Sequence, residues 1–171
     1  MAGFTKRGSL SGENKQAVLH GSNTIIANSQ TIQVGDAVYR DTDGFIIVAA
    51  AGTRVLGICV GVTDKDGIRV DPDSPTTPDT YTVESDNETD KQWKAMIETS
   101  KDVLWLNDAD EDLERADDEL FYNLADENTI DGTAAAAGQF ALIKRDPLGD
   151  GDLSLGLFVI AESQLDPYAQ V

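Results

Sequence analysis

From Thr24 onward the chain is a succession of short apolar stretches in which large side chains alternate with small or polar ones, each stretch closed by a turn signal. Thr31–Tyr39 carries Ile32 and Val34 at period two, and Asp41-Thr42-Asp43-Gly44 then predicts a turn before Phe45–Ala50. The clearest strand follows. Leu56, Ile58, Val60 and Val62 alternate with Val55, Gly57, Cys59 and Gly61, so one face is large and the other carries two glycines that admit close packing. Asp64-Lys65-Asp66-Gly67 reads as a hairpin turn leading to Ile68 and Val70, and the three prolines Pro72, Pro75 and Pro78 make 71–79 an exposed loop or edge. Alternation returns at Tyr81 and Val83, at Trp93, Ala95 and Ile97, in the run Val103–Leu106, and at Phe140, Leu142 and Lys144. After the turn Asp146-Pro147-Leu148-Gly149-Asp150-Gly151-Asp152, the series Leu153, Leu155, Leu157, Val159 and Ala161 predicts the last strand.

About eight to ten short strands with so few helical windows predict an all-β protein, a single small barrel or sandwich. One helical window is present, Asp108–Leu124, worth one or two turns. Residues 1–23 are rich in Gly, Ser, Asn and Lys without an apolar period and are expected to form an extended N-terminal arm. Residues 24–171 then form the β domain. A length of 171 residues suits one domain with a real core.

Charge changes this picture. Thirteen Lys and Arg oppose thirty-one Asp and Glu, a formal net charge of −18. Such a surface repels phosphate backbones and anionic membranes, so direct nucleic-acid or membrane binding is not expected. The positive charge is unevenly placed. Residues 1–20 hold Lys6, Arg7 and Lys15 against Glu13, a net of +2, which leaves −20 for residues 21–171. Phe4, Lys6, Arg7 and Lys15 are therefore the candidate partner-binding residues, suited to an acidic surface.

Candidate chemistry is sparse. His20 is the only histidine, and as a general base it would need an ordered pocket and an orienting partner that a polar arm does not supply. No Gly-x-Ser-x-Gly elbow accompanies it. Cys59 is the only cysteine, so an intrachain disulfide or a thiolate zinc site is excluded, and its place in a strand without basic neighbours suits a structural thiol. Asp108, Asp110, Asp112 and Glu119 match positions 1, 3, 5 and 12 of a helix-flanked calcium loop. Leu113, however, stands where that loop needs Gly, and Arg115 where it takes an apolar residue. The expectation is a solvated acidic loop with no metal and no cofactor. The N-terminal residues lack the apolar core of a signal peptide, which predicts synthesis in the cytoplasm. No enzymatic activity is expected.

Two stretches carry a family resemblance. One is Ile32-Gln33-Val34-Gly35-Asp36-Ala37-Val38-Tyr39 with Asp43-Gly44-Phe45 and Ala51-Gly52-Thr53-Arg54-Val55-Leu56-Gly57-Ile58; the other is Asp146–Asp152 running into Leu157-Phe158-Val159-Ile160. Over about residues 22–165 the chain resembles the small β-barrel head-decoration (cement) proteins of tailed bacteriophages. The resemblance implies a non-enzymatic protein on the outer surface of a virion, made in the host cytoplasm. It would bind the major capsid protein as a homo-oligomer, a trimer being favoured. The middle acidic segment departs from that family. A carbohydrate-binding or host-adhesion β module is the alternative, and it requires exposed rings such as Trp93 or Trp105.

Overall fold

Ala37 and Val38 are neighbours in one strand, yet each belongs to a different hydrophobic core. This follows from strand geometry, because successive side chains point to opposite faces of a sheet. The structure, a computed structural model, describes residues 3–12, 17–73, 78–113, 121–135 and 138–161. Their strands are β1 (Thr5–Ser9), β2 (Val18–Leu19), β3 (Thr31–Gln33), β4 (Ala37–Arg40), β5 (Ile46–Val48), β6 (Gly57–Thr63), β7 (Thr80–Thr82), β8 (Lys94–Glu98), β9 (Val103–Asp108), β10 (Phe121–Tyr122), β11 (Phe140–Arg145) and β12 (Leu155–Ile160).

They form three antiparallel sheets, in the orders β1-β9-β12-β11-β10, β2-β8-β6-β4-β5 and β3-β7. The second sheet lies in the middle. One of its faces contributes Ala37 and Ile58, with Val55 from the connection before β6, to a core shared with Trp105, Tyr122, Phe140 and Phe158 of the first sheet. The other contributes Val38, Ile46, Cys59, Val62 and Ile97 to a core shared with Ile32 and Tyr81 of the third. The chain is an all-β, layered sandwich.

The strand read most clearly from sequence, β6, has a register shift between Cys59 and Gly61. Both faces of this middle strand are buried, with Ile58 in one core and Cys59 in the other, and the bulge brings Val62, which strict alternation would place with Ile58, into the core of Cys59. Close packing is real at Gly57, where an added Cβ would strike the Glu98 carbonyl oxygen, and absent at Gly61, where the nearest atom is Met96 Sδ at 3.5 Å.

The expected turns form, and aspartates build them. Asp41 Oδ1 accepts from the N–H groups of Asp43 and Phe45, and Asp64 Oδ1 from those of Asp66 and Ile68. The Asp146 carboxylate accepts from Gly149, Asp150 and Gly151. Asp146 itself takes a positive φ of 46°, a conformation that a short polar side chain tolerates by bonding locally. Part of the acidic excess is thus turn chemistry.

One expectation needs correction. The N-terminal segment forms no separate arm over its described residues: β1 pairs with β9 at the edge of the first sheet, and β2 pairs with β8 at the edge of the second. Its polar sequence suits an edge strand, which packs few side chains. From residue 24 onward the described residues hold ten strands, β3 to β12, within the eight to ten expected, and the two N-terminal edges bring the described total to twelve. The window Asp108–Leu124 is described only at its ends, where Asp108 closes β9 and Phe121 opens β10; residues 114–120 lie outside the described residues. A five-residue π-helical turn occurs at Asn87–Lys91. It is held by the buried Asn87, whose amide group bonds the Ile26 carbonyl oxygen at 2.6 Å and the Trp93 N–H at 2.7 Å.

Candidate functional site

Alternation along β1 sorts the candidate partner-binding residues into two groups. Phe4, just before the strand, is 4% exposed and packs in the first core, so it is unavailable for docking. An aromatic side chain beside a forming edge strand gains more from burial than from contact with water. Lys6 turns inward, its Nζ 3.9 Å from Oε2 of the buried Glu98 in the central sheet. Arg7 faces outward and is exposed. A register shift between Lys6 and Gly8 bends the strand there, and an open groove of about 490 Å³ follows it, lined by Lys6, Arg7, Gly8, Ser9 and Gly12. Lys15 lies outside the described residues.

The groove is anchored at its far end. Leu10 N–H donates to the Asp102 carbonyl oxygen at 2.8 Å, and the Ser11 N–H and hydroxyl donate to the Asp102 carboxylate at 2.8 and 2.7 Å. It also belongs to a sheet whose charge differs from that of the chain. The five strands of this sheet contain Lys6, Arg7, Lys144 and Arg145 against the single acid Asp108. Of these cations Arg7 is the exposed one on β1, the Lys6 ammonium being buried beside Glu98, so in a chain of net charge −18 a negatively charged partner meets less repulsion at Arg7 than elsewhere.

A second polar feature escaped the sequence reading, although its residue lies inside one of the motifs singled out there. Asp36 is 2% exposed, and its pKa is pushed from 3.8 up to about 7, first by burial and then by Glu127 and Asp126. Its Oδ2 accepts from the Gln33 N–H at 2.7 Å, while the buried Oδ1 makes no hydrogen bond within 3.5 Å. A carboxylate directly between apolar positions of a strand pattern was the available signal.

The remaining candidates are dispersed. His20 is exposed and shares a hydrogen bond of 2.8 Å with the Thr63 hydroxyl; no carboxylate orients it among the described residues. Cys59 is fully buried, and burial pushes its thiol up to about 12. Of the calcium-loop candidates, Asp110 gives its Oδ1 to the Gly132 N–H at 2.8 Å, Asp108 stands at the end of β9, and Asp112 is exposed. Glu119 lies outside the described residues, among which no group of three metal-ligating side chains converges. Trp105 is 1% exposed in the first core, and Trp93 is partly buried against the second. Among the described residues, no helix is long and apolar enough to cross a membrane.

Fold and site together define a layered antiparallel β protein with a basic edge groove. Compared with known protein families, curated proteins and solved structures, the chain matches none.

Proposed function

We propose that this protein is a capsid decoration (cement) protein. It docks on the outer surface of a viral head and adds contacts between major capsid subunits, after synthesis in the host cytoplasm. The observation that carries this reading is the groove beside the exposed Arg7, on the edge strand of an otherwise strongly acidic β sandwich. Its work is adhesion, with no catalytic step assigned to any residue. A homo-oligomer, favoured as a trimer, suits it, because a symmetric lattice multiplies a small interface by repetition. The acidic remainder of the surface favours solubility and disfavours misplaced contacts.

Co-sedimentation of the purified protein with capsids tests the reading. The protein should pellet with them and raise their heat resistance. Arg7→Glu should weaken attachment by roughly tenfold or more, and wild-type attachment should weaken as salt rises, as interfacial charge pairs do. Failure of the wild-type protein to pellet, or turnover of any substrate, would overturn it.

A further inference from the structure

Asp36 stands where three parts of the fold meet. It follows β3 of the third sheet and precedes β4 of the central one. Its carbonyl oxygen accepts from the Cys59 N–H at 2.8 Å, and its neighbour Gly35 donates to the Cys59 carbonyl oxygen at 2.9 Å, which ties the junction to β6. The Gly35 carbonyl oxygen accepts from the Phe4 N–H at 2.8 Å, holding the start of β1. On the other side, the Ala37 N–H donates to the Glu127 carbonyl oxygen at 2.8 Å, holding the turn around 126–128. The approach at Gly35 is close: a Cβ there would meet the Phe4 backbone N and O at 3.1 Å, and Gly35 has a φ of 102° that favours glycine.

The groups facing the Asp36 carboxyl make its charge costly. From the turn come Glu127 and Asp126, both negative, with the neutral amide of Asn128 opposing them. From β6 comes the Cys59 thiol, itself neutral over the physiological range. From β3 comes only the Gln33 N–H, and the backbone contact from Gly35 to Phe4 brings no ionisable side chain. The charged groups acting on Asp36 are therefore acidic, and its buried Oδ1 makes no hydrogen bond within 3.5 Å, so the Asn128 amide offsets them only in part.

We propose that Asp36 is a proton-operated latch, which when protonated holds the 126–128 turn and the start of β1 on the central sheet, and when ionised loosens both. Because β1 carries the Lys6–Arg7 groove, the latch also sets how firmly that groove is presented; only this last consequence rests on the docking function proposed above. The sign of the effect follows from linkage. Between about pH 4 and pH 7 the folded chain keeps a proton that the unfolded chain has lost. Stability from this group is fully present below that window, declines as pH rises through it, and is lost above it.

Carboxyl-carbon NMR titration of the isolated full-length protein between pH 4 and pH 9, with amide exchange corrected for its intrinsic pH dependence, tests the latch. Asp36 should titrate with a midpoint near 7. Protection of the Phe4 and Ala37 amides should fall about tenfold or more above that midpoint, and the folding equilibrium constant should fall by up to about tenfold per pH unit across the window relative to Asp36→Asn. In Asp36→Asn the pH response of both amides should vanish, and in Glu127→Gln the Asp36 midpoint should move to lower pH. A wild-type midpoint near 4, or the same pH response in Asp36→Asn, would overturn the latch. Should Asp36→Asn fail to fold, an unmoved midpoint in Glu127→Gln overturns it instead. None of these measurements uses capsids, so they can fail or succeed independently of co-sedimentation.

Discussion

The ring of Phe4 stacks on the ring of Phe140, with centroids 4.6 Å apart and planes 21° apart. Phe140 opens β11, three strands away from β1 in the sheet order, so this contact pins the N-terminal segment over the inner face of the first sheet.

Truncating the pinned residue should therefore cost stability. Phe4→Ala removes a buried ring and its stacking contact with Phe140, and should destabilise the fold by about 3–5 kcal/mol. Denaturant titration measures it. Deleting residues 1–12 should lower Tm by on the order of 10 °C or more. A removable arm would leave Tm unchanged in both variants, and that result would separate β1 from the core.

The glycines of β6 should respond differently to the same substitution. At Gly57 an added methyl group meets the backbone of Glu98, which cannot swing aside, so Gly57→Ala should cost about 1–3 kcal/mol. At Gly61 the added Cβ makes an ordinary contact with the flexible Met96 thioether, and Gly61→Ala should stay within about 0.5 kcal/mol of wild type. Equal effects at the two positions would contradict the β6–β8 register.

Cys59 should be silent in the native state. With its thiol pushed up to about 12, chiefly by burial, roughly one molecule in ten thousand is a thiolate at pH 8, and reagent access is blocked as well. A thiol-reactive chromophore should report one group per chain in denaturant and none without it. Rapid native labelling would place Cys59 nearer the surface than the second core.

Much of the fold was legible because turns and alternation are local properties. Asp41-Thr42-Asp43-Gly44, Asp64-Lys65-Asp66-Gly67 and Asp146–Asp152 each encode a turn through a side chain that bonds backbone within five residues. The bulge in β6 was not legible, since it depends on how Cys59 and Gly61 meet Ile97 and Met96 on another strand. Similarly, Leu155, Leu157 and Val159 alternate as expected in β12, but Phe158 and Ile160, on the opposite face, fill the first core. A period of two identifies two faces without saying which one a partner sheet covers.

The candidate site divides in the same way. Sequence by itself determined an all-β chain, its turns, its acidic excess and the cluster of cations near the N-terminus, because each resides in residue type and near-neighbour spacing. Tertiary structure alone decided that Phe4 and Lys6 point inward while Arg7 points out, and that Asp36 is buried against Glu127. Those outcomes depend on pairing between segments tens of residues apart, where packing and desolvation, which no local pattern records, choose the environment of each side chain.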